Sequence, residues 1–158
     1  MENKVILITG STDGIGKQIA IDLAELGATV LIHGRNRARC ENTLTEIKKK
    51  TGNRNLDFFV ADLASLGWIR NLAEEIKSKH DQLDVLINNA GVIENRRKLT
   101  EDGYEMTFAV NHLSYFLFRY FQIAEGFLKY VQCRFLTNPG TVPFEYLEAW
   151  LPHILNVL

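Results

Sequence analysis

Val5-Ile6-Leu7-Ile8-Thr9-Gly10-Ser11-Thr12-Asp13-Gly14-Ile15-Gly16 decides the reading of this chain. A short apolar run rich in β-branched residues ends in a glycine-rich turn, and from Ile15 to Leu26 apolar residues recur at helical spacing until Gly27. A glycine pattern is a weak signal alone; set between a predicted strand and a predicted helix it becomes a candidate phosphate site. Glycine permits a tight turn and close approach of backbone to a pyrophosphate, and a helix N-terminus offers unpaired N–H groups with about half a positive charge. A glycine turn that binds nothing is the competing reading, and the flanking strand and helix weigh against it.

Outward from that stretch, strands and helices alternate. Thr29 to Ile32 reads as a second strand, Arg37 to Lys50 as a polar helix ending at Thr51-Gly52-Asn53, and Asp57 to Ala61 as a third strand. Ser65 to His80 reads as a helix, and Leu83 to Asn88 as a fourth strand with the dense Val/Leu/Ile content of a covered parallel sheet. This alternation predicts an α/β, doubly wound parallel sheet in three α/β/α layers, a single domain over residues 1–158. Thr100 reads as an N-cap, with Glu101 and Asp102 in the first turn of a long helix, 101–128, apolar on nearly every face. Beyond Gly126 the signals weaken: Tyr130 to Leu136 is a strand candidate, Asn138-Pro139-Gly140 a turn, and Phe144 to Leu158 an amphipathic helix interrupted at Pro152.

Composition narrows the function classes. The chain has 158 residues, 46% hydrophobic and 23% charged, which excludes a disordered or collagen-like sequence and predicts a buried core. Its net charge of −1 gives no overall field to draw it to nucleic acid or an anionic membrane, so any anion site must be local. Cys40 and Cys133 have neither CxxC spacing nor a histidine cluster, so no metal site is expected and both thiols are expected reduced. No apolar stretch approaches the roughly 20 residues of a membrane span. MENKVILITG resembles neither a signal nor a transit peptide, so a cytoplasmic location is expected.

About twenty residues after the glycines, a dinucleotide site for NAD usually places Asp or Glu on the ribose 2′-hydroxyl. Here stands His33-Gly34-Arg35-Asn36-Arg37, with no acid. A guanidinium matches a 2′-phosphate through two hydrogen bonds, so Arg35, beside Asn36, favours NADP (NADPH) over NAD. Arg37 and Arg39 are read as solvated residues of the following helix. Asp62 ends a strand, where ligands of open α/β sheets bind, and is equally a plausible helix cap. Asn88 and Asn89 also end a strand, with side-chain amides suited either to a ligand or to tying strand ends together.

Four separated strings resemble one family, the short-chain dehydrogenases/reductases: Thr9-Gly10-Ser11-Thr12-Asp13-Gly14-Ile15-Gly16, Ala61-Asp62-Leu63, Asn88-Asn89-Ala90-Gly91, and Asn111 in VNHL. HGRNRAR, LINNAGV and TEDGYEMTFAVNHLSYF look like its retinol-dehydrogenase-like branch. The resemblance covers about residues 3–120 and is weak over 121–158. It implies a Rossmann-type fold, incomplete in its C-terminal half, with Gly10 to Gly16 on the pyrophosphate and Asp62 and Leu63 bordering the adenine. It also implies Asn89, with Ala90 and Gly91, on the adenosine side, and Asn111 as the catalytic Asn that helps hold a water in a proton relay. The implied reaction is hydride transfer with a small-molecule alcohol or carbonyl substrate.

The family's Tyr, followed four residues later by Lys, has no match: Tyr115 precedes Arg119, Tyr130 precedes Arg134 and Tyr146 precedes Trp150. A free phenol has a pKa of about 10 and needs a neighbouring cation to work near pH 7. Val131 to Val142 resembles the family's sixth strand and the Pro-Gly turn after it, so the chain is expected to join its long helix almost directly to that segment, omitting the fifth strand and the helix that bears Tyr and Lys. An unrelated tail is the competing expectation. A catalytically inactive nucleotide-binding or interaction module, or a non-functional truncated member, is the alternative function. The aromatic stretch Tyr115, Phe116, Phe118, Tyr120 and Phe121 is expected in the core or in a homo-oligomer interface, and His112 in a structural role.

Overall fold

The structure, a computed structural model, describes residues 1–123 and 128–133. β1 (Val5–Ile8), α1 (Gly14–Glu25), β2 (Thr29–Gly34), α2 (Arg37–Thr51), β3 (Leu56–Val60), α3 (Leu66–Lys79) and β4 (Leu83–Asn88) follow the expected alternation, and β5 (Leu128–Cys133) completes a five-stranded sheet. The order is β3-β2-β1-β4-β5 and every pairing is parallel, with Val5 opposite Thr29 and Ile6 opposite Val85 around the central β1.

The period-2 geometry of strands explains the two cores. On β1, Ile6 and Ile8 pack with Ile19, Ala20 and Leu23 of α1 and Ile47 of α2, whereas Leu7 faces the other way, toward Ile69, Leu72 and Ile76 of α3 with Val110 and Phe118. A strand apolar on both faces needs a helical layer on each side, which is why VILI can exist only inside a three-layer fold.

Helix ends follow local chemistry. Asn36 caps α2, its Oδ1 accepting from Arg39 N at 3.0 Å, and Gly52 ends that helix at φ 72°, a left-handed position suited to glycine. Ser65 precedes α3 without a capping bond of its own; Leu66 N donates instead to Asp102 Oδ2 at 2.8 Å.

That contact belongs to a correction. Thr100, Glu101 and Asp102 do not begin a helix: Gly103, at φ 81°, closes a turn that pairs Leu99 with Glu105. Glu105 is the cap, accepting from Thr107 N at 3.0 Å and Phe108 N at 2.8 Å, and these bonds, Thr107's first, hold its carboxyl below the usual range. The helix then runs through α4 (Met106–Phe108), a π-helical turn (Ala109–Leu113) and α5 (Ser114–Ile123), so the expected helix 101–128 begins later and ends earlier.

The strand expected from Tyr130 starts at Leu128 and lies in the sheet beside β4. Residues 134–136, the Asn138-Pro139-Gly140 turn and the Phe144 to Leu158 helix lie outside the described residues. Among the described residues no helix is long and apolar enough to cross a membrane, and no cluster of His, Cys, Asp or Glu could hold a metal ion.

Candidate functional site

A cleft of about 980 Å³ opens beyond the C-terminal ends of β1, β2 and β4. Chain connections leave β1 in one direction and reach β4 in the other, and this reversal is where open α/β sheets leave a crevice. The glycine loop forms its floor. Gly10, Thr12, Asp13, Gly14, Ile15 and Gly16 all line it, and the N-terminus of α1 points into it.

Two glycines are fixed by close approach. A Cβ on Gly16 would lie 2.3 Å from Asn89 Nδ2 and 2.6 Å from Gly10 O; one on Gly10 would lie 2.8 Å from the Ala90 Cα. The loop is therefore pressed against the end of β4 with no room for a side chain between them.

Hydrogen bonds lock that contact. Thr9 Oγ1 accepts from Asn89 N and from Ala90 N, each at 3.0 Å, and Asn89 Nδ2 donates to Thr9 O at 2.9 Å and Gly10 O at 3.2 Å. On the β2 side, Ser11 Oγ donates to Ile8 O at 2.8 Å and accepts from His33 N at 3.0 Å. His33 Nδ1 accepts from Gly10 N at 3.2 Å, which leaves its proton on Nε2, toward the Ala61 backbone. Burial pushes the His33 imidazole down to about 4, outweighing the raising effects of the nearby Ala61 backbone and the Asp62 charge. His33 is thus a neutral strut under the loop.

Thr9, Ser11 and Leu63, expected to touch the cofactor, lie outside the cleft lining. All three are buried: Thr9 and Ser11 brace the loop from behind, and Leu63 packs in the core with Phe59 and Ile69. Asp62, Asn89, Ala90, Gly91, Arg35 and Asn36 do line it. Asp62 Oδ1 accepts from Ala64 N at 3.0 Å, so it also shapes its own turn.

Of the remaining arginines, Arg37 lies 3.5 Å from Glu41 and over the Phe58 ring, as a surface residue would. Arg39 is exposed as well, as the solvated reading expects. It lines the cleft, and its Nη2 meets Asp13 Oδ2 at 2.9 Å, joining the start of α2 to the start of α1.

Asn111 does not line the cleft. Its Oδ1 accepts from Val92 N at 2.8 Å and its Nδ2 donates to Val92 O at 2.7 Å, pinning the loop after β4 to the π-helical turn. Tyr115, one turn on, donates its hydroxyl to Ala90 O. Both residues therefore hold the cleft wall from outside. Phe118 is core, whereas Phe116 and Tyr120 are exposed. Cys40 is buried, and burial raises its thiol pKa, leaving it unreactive.

Val92, Glu94, Lys98 and Met106 also line the cleft; Val92 and Met106 fall within LINNAGV and TEDGYEMTFAVNHLSYF, whereas no sequence motif marked Glu94 and Lys98. His33 and Arg39 were visible in the string HGRNRAR but not their partners, which come from Gly10 and Asp13 some twenty residues earlier.

A family model described as short chain dehydrogenase matches residues 4–125. Retinol dehydrogenase 13 of Homo sapiens is 42% identical over 114 residues, which are 72% of this chain and 34% of that protein. Polyprenol dehydrogenase of Homo sapiens is also 42% identical, over 73% of this chain and 35% of its own length. The chain spans about a third of the length of these curated relatives. Among solved structures, the RhlG/NADP active-site complex of Pseudomonas aeruginosa superposes with a TM-score of 0.62 and 30% identity, over 74% of this chain and 45% of that one. A short chain dehydrogenase from Escherichia coli CFT073 complexed with NADPH gives a TM-score of 0.66 at 28% identity, over 76% of this chain and 52% of that one.

Proposed function

Because the chain belongs to the short-chain dehydrogenase family, we propose that its cleft holds NADP ahead of NAD and serves an oxidoreductase of retinol-dehydrogenase-like kind. The substrate would be a small-molecule alcohol or carbonyl. The observation that carries the cofactor choice is the end of β2, where Arg35 and Asn36 line the cleft and residues 33–37 include no carboxylate.

The residues fit such a cofactor. Gly14, at φ 54° with open space where a Cβ would stand, brings bare backbone to the cleft floor, and the first-turn N–H groups of α1 suit a pyrophosphate. Asp62 and Ala64 flank the adenine end; Asn89, Ala90 and Gly91 lie along the middle of the cleft. Bound there, the nicotinamide would supply hydride chemistry. Asn111 contributes by holding Val92, and so the cleft's far wall, in place.

The test is a thermal-shift titration with NADPH and, separately, NADH. A hundredfold excess over Kd stabilises a folded binder by about 2.7 kcal/mol. The larger shift is expected with NADPH, and Arg35→Ala should weaken NADPH far more than NADH; equal losses would overturn the NADP assignment.

A second reading rests on a specific feature: none of the five tyrosines is followed four residues later by Lys. On that reading this chain is a nucleotide-binding or interaction module without turnover of its own. NADPH binding with no cofactor-dependent reduction across varied aldehydes and ketones would establish it, and measurable turnover would remove it.

Two further proposals attach to this reading. Phe108, Phe116 and Tyr120 are exposed on one helical run, with Phe108 stacked on His112 at 5.3 Å, and they suit contact with a second copy of the chain. A sedimentation mass that halves in Phe116→Asp would support this; a monomer in the native chain would refute it. A cytoplasmic location rests on Cys40 and Cys133 being expected to stay reduced, and a fluorescent fusion found in the secretory pathway would overturn it.

A further inference from the structure

Glu94 and Lys98 line the cleft from the segment that follows β4, whereas Arg35 and Asp62 follow β2 and β3, so the strand order sets the two groups on opposite sides of β1. The segment that carries Glu94 and Lys98 is tied down at both ends. Asn111 holds Val92 by two hydrogen bonds, Met106 N donates to Lys98 O at 2.8 Å, and Leu99 pairs with Glu105. Between these ties, Glu94 N donates to Thr107 Oγ1 at 3.4 Å. A fixed backbone thus presents two charges to the cleft, and among the described residues neither side chain has an ion-pair partner. Lys98 is also the last of three consecutive cations, Arg96-Arg97-Lys98, all exposed. Two nearby acids are already engaged: Glu105 accepts from Thr107 N and Phe108 N, and Asp102 Oδ2 from Leu66 N, so their charge is partly met by backbone dipoles. Val92, Met106 and Val110 give the same cleft an apolar lining.

We propose that Lys98 is a specificity-determining residue that takes an anionic group on the substrate, while the substrate's apolar part lies against Val92, Met106 and Val110. The inference rests on the oxidoreductase reading of the cleft and names a substrate class for it: a hydroxy or oxo compound that carries a carboxylate or phosphate away from the reacting carbon. An ammonium is a compact charge with three donors that rotate to meet such a group, and a backbone fixed beforehand leaves only the side chain to be ordered on binding. Arg96 and Arg97 strengthen the attraction at the cleft mouth. Glu94 repels the same anion and holds its affinity down. A substrate with a neutral end gains nothing from Lys98.

The test loads the full chain with NADP and titrates it with ω-hydroxy carboxylates of increasing chain length, beside the methyl esters of the same acids. Acid and ester differ in charge and little else, and the thermal midpoint reports binding whether or not turnover follows. The native chain should prefer an acid over its ester. Lys98→Gln should weaken that acid about fivefold, the scale of an exposed ion pair, and the ester by roughly twofold at most. Lys98→Arg should keep most of the preference, and Glu94→Gln should tighten the acid about twofold with the ester unchanged. Rising salt should shrink the preference in the native chain and leave Lys98→Gln unaffected. The assignment is overturned if Lys98→Gln weakens acid and ester equally, which a merely structural role would do, or if the native chain prefers the esters. A midpoint raised by NADP but by no acid removes the role of Lys98 and leaves the cofactor reading standing. A midpoint that NADP does not move removes both.

Discussion

The glycine loop is gripped from two sides, and the grips differ in chemistry. Toward β4 it is held by Thr9 and Asn89, a hydroxyl and an amide that never ionise in the working range. Toward β2 it is held by Ser11 and His33, and the second of these can take up a proton. The same loop is thus indifferent to acid on one flank and vulnerable on the other. A hydrogen-bond acceptor made of imidazole works only while it stays neutral, so burial that lowers its pKa is part of the strut's design.

The sharpest way to break the β4 grip is Thr9→Val, which keeps the shape and removes the acceptor for two N–H groups. Each such orphaned donor costs about 1–3 kcal/mol, so a loss of about 3–4 kcal/mol is expected in urea unfolding. A loss below 1 kcal/mol would show that water replaces the hydroxyl.

On the β2 side the probe is pH. With a native pKa of about 4 against 6.5, the folded state binds fewer protons than the unfolded state between those values. Stability from His33 is therefore complete above about pH 6.5 and drains as pH falls through 4, by about 3 kcal/mol in total. His33→Gln should be less stable at neutral pH and lose that share of the acid slope; an unchanged slope would mean other groups carry it.

Ser11→Ala tests the same side without charge. It leaves the buried His33 N–H unpaired, and a loss of about 2 kcal/mol is expected in the same unfolding measurement.

The smallest effect is expected from Asn111→Ala, which frees Val92 from two bonds at a partly exposed wall. About 1–2 kcal/mol should be lost, with faster hydrogen exchange confined to residues around 91–95. Exchange that also rises at Gly10 and Ser11 would join the two regions into one cooperative unit.

Much of this architecture was legible because strands and helices through Asn88 carry strong periodicity and are bounded by glycine or capping residues. Thr100 misled because Thr, Glu and Asp compose a helix start equally well as a tight turn, and only the pairing of Leu99 with Glu105 decides between them. Asp102 shows the same limit: its carboxylate caps a helix that starts thirty-six residues earlier in the chain. The cleft-lining glycines, Arg35 and Asn89 could be picked out from the strings that contain them. His33 and Arg39 could not, since their roles lie in contacts between β1–α1 and β2–α2 that no local pattern encodes. Thr9, Ser11 and Leu63, expected at the cofactor, are buried beside the cleft and outside its lining.

The central place of β1 has a consequence for how the chain is made. β2 emerges soon after it and can cover one edge, but the other waits for β4, whose first residue is Leu83. At about 5–20 residues per second, a gap of roughly 75 residues means about 4–15 seconds of synthesis. During that interval Val5-Ile6-Leu7-Ile8 offers an uncharged, unpaired edge to anything that can add a strand. A pause in translation before β4 lengthens that window directly, so the rate of synthesis over residues 9–83 sets how much of the chain reaches the folded state rather than the aggregate.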